Sequence, residues 1–116
     1  MRIKSLKLTE AEFTRQVIEL AKHRGWLVMH QRPARTDKGW RTAISGHAGF
    51  PDLVMVRGGR LIFAELKVGK NKLSAAQERW LAELRNAATC SIRGTNNVMA
   101  VEWRPEDWKD IEYFLE

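Results

Sequence analysis

The sequence predicts an α/β fold, a central mixed β-sheet flanked by helices, in a single domain spanning residues 1–116. Three observations carry that expectation. Helix-period and strand-like runs alternate along the chain. Gly58-Gly59 joins two apolar runs as a hairpin turn does, and a capped helix follows that hairpin.

Residues 9–24 read as a helix, with Thr9 as N-cap, Glu12 hinting at a capping box, and Phe13, Val17, Leu20 and Ala21 forming one apolar stripe. Gly25 ends it, and 26–31 reads as a strand. Residues 32–50 are polar and glycine-rich and carry Arg32, Arg35, Lys38, Arg41 and His47; so long a loop in a compact domain is usually functional or disordered. Residues 52–57 and 60–67 are the hairpin strands. A short basic connector with Lys70 and Lys72 leads to a helix opening at Ser74, where Ser74-Ala-Ala-Gln77 has the capping-box pattern. A strand is expected at 98–103, with a weaker one around 91–93, and Pro105 suits the first turn of a last helix reaching about Phe114. The order is α-β-β-β-α-(β)-β-α.

The 116 residues allow one ordinary core and no second domain. Apolar runs are too short to span a membrane, and the N-terminus has no hydrophobic signal core. The single cysteine, Cys90, excludes an intramolecular disulfide and paired-cysteine zinc sites, and fits a reducing cytoplasm. Twenty Lys and Arg against 14 Asp and Glu leave a net charge of +6, which favours a polyanionic partner.

The hairpin carries the chemistry. With Gly58-Gly59 as a two-residue turn, Arg57 faces Arg60, and Asp52 lies across from Glu65, their Cβ atoms about 5 Å apart. Lys67, two residues beyond Glu65, projects from the same face. Both faces of these strands are largely apolar, as in strands covered on both sides, so two acids and a lysine at their end require a reason. Opposed carboxylates raise one another's pKa unless a cation lies between them. A hard divalent ion such as Mg²⁺ or Mn²⁺ suits this oxygen-rich site; it can lower the pKa of bound water and shield a phosphate under attack, while a lysine orients or deprotonates the water or stabilises the transition state. The plainer alternative is a salt-bridged pair in which Lys67 neutralises Glu65.

Gly49-Phe-Pro-Asp52, followed after 12 residues by Glu65-Leu-Lys67, resembles the PD-(D/E)xK nuclease motif, and the spacing is similar to that of the VRR-NUC group, small virus-type replication-repair nucleases related in fold to Holliday-junction resolvases. The resemblance runs from about Glu10 to the 103–108 segment. It implies a restriction-endonuclease-like core and a bacterial, phage or prophage-type cytoplasmic protein. It implies that Asp52 and Glu65 ligate the metal with the Leu66 backbone carbonyl, that Lys67 is catalytic, and that a first-helix glutamate completes the site. Glu10, on the inward stripe, is preferred over Glu12, which lies with Gln16, Glu19 and His23 on a polar face. Gln77 is a further carried-over residue, whose plainer role is to close the capping box with Ser74.

The expected activity is a Mg²⁺- or Mn²⁺-dependent endodeoxyribonuclease, and the resemblance implies branched DNA such as four-way junctions as its substrate. Two symmetric nicks from single-site chains then require a homodimer. The alternatives are a nicking or restriction-type nuclease on linear or flap DNA, and a non-catalytic DNA-binding module. Arg32, Arg35, Lys38, Arg41, Lys70 and Lys72 are expected phosphate contacts. His30 and His47 are weaker candidates near the phosphate, and Trp40 for stacking on an unpaired base. Trp26, Trp80 and Trp103 fit the core better, and Cys90 has no convincing base beside it for a thiol nucleophile.

Overall fold

The computed structural model of the chain describes residues 7–31, 34–37, 39–41, 44–89 and 97–116. Helix α1 (Glu10–His23) precedes strand β1 (Leu27–His30), a small hairpin of β2 (Ala34–Thr36) and β3 (Gly39–Arg41), and the central hairpin of β4 (Leu53–Arg57) and β5 (Arg60–Leu66). Helix α2 (Ala75–Thr89), strand β6 (Val98–Trp103), a 3₁₀ turn (Pro105–Asp107) and helix α3 (Trp108–Phe114) follow. The expected strand at 91–93 lies outside the described residues.

The main sheet has the order β1-β4-β5-β6: antiparallel as far as β5, then parallel between β5 and β6. Parallel neighbours need a crossover, and α2 is that connection. The expected hairpin register holds, with Arg57 opposite Arg60 and Leu53 opposite Ala64. Gly58 and Gly59 have φ of 55° and 80°, the two positive values a type I′ turn requires. Thr9 caps α1 reciprocally with Glu12, so the capping box is complete at the surface of the helix.

Paired residues share a face of the sheet. Leu53, Met55, Ile62, Ala64, Leu66 and Trp103 pack with Phe13, Val17 and Ala21 of α1 and with Ile111 and Leu115, all buried in one cluster. The opposite face meets α2: Phe50 stands edge-on to both Phe63 and Trp80, and Arg85 Nε donates to the Ala100 carbonyl at 2.8 Å.

Two expectations about packing are corrected. The sheet is not covered on both sides throughout. Helix α2 lies toward β6, leaving Leu27 76% exposed, Met29 50% and Val56 40% at the β1 side. Trp26 and Trp103 are core residues, but Trp80 is only half-buried, because it sits at the rim of α2 against Phe50. Within the 32–50 segment, two described tripeptides pair as β2 and β3, where a loop was expected.

Candidate active site

Asp52 is one residue outside β4, directly after the buried Pro51. Its carbonyl accepts from the Gln31 N–H at 3.0 Å, continuing the β1–β4 pairing. On the other side the ladder with β5 stops at Leu53–Ala64, and the Asp52 carboxylate replaces the missing backbone acceptor: Leu66 N–H donates to Oδ2 at 3.0 Å. The carboxylate is thereby fixed beside Glu65, as the register required.

Glu65 is 2% exposed. Gln77 Nε2 donates to its Oε2 at 3.0 Å, and Lys67 Nζ lies 3.8 Å from the same oxygen. Oε1 is buried and has no hydrogen-bond partner. Burial first, then the charge of the adjacent Asp52, push the Glu65 pKa up to about 8; Lys67 opposes the shift and Glu10 adds to it. This carboxylate therefore resists ionisation as long as no further positive charge reaches it.

Gln77 both closes the capping box and touches Glu65. Its Oε1 accepts from Ser74 N–H at 2.9 Å and its own N–H donates to Ser74 Oγ at 3.1 Å, closing the capping box. Holding the side chain this way leaves only Nε2 free to turn to Glu65. The cap thus aims the amide.

Glu10 is exposed on the first turn of α1, not buried on the inward stripe. Its pKa is raised, chiefly by partial burial and also by Asp52, with Lys67 opposing, so it lies within electrostatic reach of the pair. Among the described residues no three His, Cys, Asp or Glu side chains gather closely enough to hold an ion. Asp52 and Glu65 stand as a pair, and Glu10 as a neighbour. Leu66 has its side chain in the core and its N–H on Asp52, so its backbone is what faces the pair.

Beside Asp52 opens a cleft of about 970 Å³ between α1 and the end of β1, lined by Glu10, Arg15, Lys22, His30 and Gln31 among others. Arg15 and Lys22 were not singled out from the sequence; their i, i+7 spacing on the helix that carries Glu10 was the available signal. Of the basic residues expected to meet phosphate, Lys70 and Lys72 are exposed in the connector after the site, Arg35 and Arg41 fall in β2 and β3, and Arg32 and Lys38 lie outside the described residues. His47 and Ala48 sit at a different cleft, against Trp80, whose Nε1 donates to the Ala48 carbonyl at 3.1 Å.

Residues 13–103 match the VRR-NUC domain family. The match covers Asp52, Glu65, Lys67 and Gln77 and begins after Glu10. No curated protein matches the chain.

Proposed function

The chain belongs to the VRR-NUC domain family, a nuclease family of the PD-(D/E)xK superfamily, and on that premise we propose that it is a Mg²⁺- or Mn²⁺-dependent endodeoxyribonuclease acting on branched DNA such as four-way junctions, as a homodimer. One observation carries the metal-dependent part: the buried Glu65 carboxylate has an unpartnered Oε1 beside a second carboxylate. A buried acceptor without a donor costs about 1–3 kcal/mol and usually answers to a ligand or to function. Carboxylate and backbone oxygens are hard donors, which suits Mg²⁺ or Mn²⁺ and not a soft metal. Asp52 and Glu65 would hold the ion with the Leu66 carbonyl, and Glu10 would approach from α1. When bound, such an ion supplies screening of phosphate charge and makes a water acidic.

The remaining steps belong to this chain's own side chains. Leu66 N–H and Gln77 Nε2 fix the two carboxylates, so neither has to be organised when substrate arrives. Lys67, whose Nζ lies 3.8 Å from Glu65, would orient the attacking water and stabilise charge building on the phosphate. Arg15 and Lys22 along the large cleft, with Lys70 and Lys72 on the connector, supply phosphate contacts that set position without reading sequence.

A non-catalytic DNA-binding module gains nothing from a buried acid pair facing phosphate, which disfavours that alternative. Branch preference and dimerisation rest on the family relationship, and the exposed Leu27, Met29 and Val56 support the dimer. The test is a cleavage panel on junction, flap and linear DNA with Mg²⁺ or Mn²⁺. Wild-type chain is expected to cut junctions preferentially, and Asp52→Ala to lose cleavage by a factor of at least about 10³ while still binding. Equal cutting by both proteins would refute the site assignment.

A further inference from the structure

A second cleft, of about 290 Å³, lies between α2 and the segment leading to Asp52, lined by His47, Ala48, Ala76, Arg79, Trp80 and Glu83. None of these residues acts at the acid pair. We propose that this cleft is a subsite for an unpaired nucleobase of the DNA substrate, with the base resting on Trp80; the inference deepens the nuclease reading and rests on it.

Three observations carry the argument. The cleft is built and held rigid. Gly49 has φ of 99°, and a Cβ there would come within 2.6 Å of the Ala76 backbone, so the segment sits directly on α2. Trp80 is fixed by its Nε1 hydrogen bond to Ala48 and by the edge-on ring of Phe50 at 5.0 Å, yet remains half-exposed. An indole locked at two edges and still open to solvent is a platform that costs little to order on binding.

The chemistry of the walls favours a base over a phosphate. Ala48, Ala76 and Trp80 give an apolar floor, while Arg79 supplies donors and Glu83 an acceptor. The Watson–Crick edge of every base, exposed once the base is unpaired, mixes donors and acceptors, and a carboxylate accepts base N–H groups well. The same carboxylate would repel a phosphate.

The position also fits. Ala76 precedes Gln77, which holds Glu65, and Ala48 is four residues before Asp52. A base lodged here therefore belongs to a nucleotide near the scissile bond. Flaps, and branch points whose pairs open on binding, expose such unpaired nucleotides and continuous duplex does not, so the cleft gives a physical basis for structure preference.

The test is fluorescence anisotropy of the full chain with a labelled flap or junction in EDTA, where no cleavage occurs. Unpaired and branch-point nucleotides are replaced one at a time by abasic units. At one position the wild-type chain is expected to lose about tenfold in affinity, the usual scale for one stacked base. Ala48→Leu, which fills the cleft from an exposed position, should bind the intact DNA about tenfold more weakly and become indifferent to the abasic unit. Arg79→Ala, on the exposed face of α2, should weaken both effects without disturbing the fold. Wild-type indifference to abasic units at every position overturns the proposal, as does Ala48→Leu responding like wild type. A chain that cuts junctions with Mg²⁺ but ignores abasic units refutes the subsite alone; one that binds no DNA refutes the nuclease reading with it.

Discussion

At the residue scale, Glu65 sets the energetics of the site. Its folded pKa, about 8, is above the ordinary 4.5, so the folded state binds that proton more tightly than the unfolded chain. The stabilisation is complete below about pH 4.5 and is lost as pH rises toward and through 8. Metal-free chain should accordingly melt lower at pH 9 than its other titrations require. Glu65→Gln keeps the size and one acceptor and cannot ionise, so it should remove that alkaline loss and stabilise the metal-free chain by about 1–3 kcal/mol at pH 9, while abolishing cleavage. Melting curves in EDTA across pH check this; identical pH slopes for both proteins would refute it. Gln77 offers a second check at this scale. Gln77→Ala removes the side-chain half of the capping box and the bond to Glu65 together, leaving the Ser74 cap on the backbone N–H, so it should cost about 1–2 kcal/mol of stability and reduce cleavage about tenfold or more. Gln77→Glu keeps a capping acceptor but faces Glu65 with a carboxyl; it should restore stability at low pH and leave cleavage impaired, which thermal melts paired with single-turnover rates would separate. Asp52, Glu65 and Lys67 were legible in the sequence because hairpin register fixes who faces whom. The double role of Gln77 was not, because its second bond depends on where α2 sits in space.

At the element scale, two glycine sites separate turn geometry from close packing. Gly58 sits in the hairpin turn at positive φ with open space where a Cβ would go, so Gly58→Asn, a residue tolerant of that region, should change stability by no more than about 0.5 kcal/mol. Gly49 combines φ of 99° with backbone of Ala76 at 2.6 Å from a Cβ. Gly49→Ala must both strain the chain and push α2 from the 47–50 segment, so it should cost about 1–3 kcal/mol and lower cleavage through Asp52 and Gln77 together. Urea titration of the two variants tests the contrast, and equal losses would show that φ alone decides. Both glycines were visible as sequence, but only Gly58-Gly59 announced its role, through two flanking apolar runs. The contact that makes Gly49 irreplaceable joins residues 27 positions apart. The β2–β3 pairing was hidden for a related reason: tripeptide strands are too short to show an alternation. Arg104 likewise ties the connector in place, donating to the Gly69 and Asn71 carbonyls and to Glu102 at 2.8 Å, and nothing local in the sequence marks those partners.

For the whole molecule, the net charge of +6 overstates how much cation faces substrate. Arg24, Arg57, Arg60, Arg85 and Arg104 all donate to backbone carbonyls, and Arg57 and Arg60 also lie over the Trp26 ring, each at 4.9 Å. Composition indicated a polyanionic partner but had no means of telling structural arginines from contacting ones. The uncovered sheet face was equally hidden, because apolar residues on both faces of a strand predict burial without naming what provides it. Leu27 pairs with Val56 and Met29 with Val54, so Leu27, Met29 and Val56 form one exposed apolar patch bordering β1, the edge strand. Such a patch on an edge invites association. A stable interface buries about 800 Å² per partner, more than three side chains supply, so a dimer through this face must extend along the β1 edge as well. Leu27→Lys with Met29→Lys places two charges on the patch without touching the core, since both residues are at least half exposed. Sedimentation should show wild-type dimer and variant monomer with melting temperatures within a few degrees. The monomer retains its acid pair and should still nick DNA, yet should lose the paired nicks that resolve a junction. A wild-type chain that sediments as a monomer in the presence of junction DNA would remove the dimer and leave a nicking enzyme.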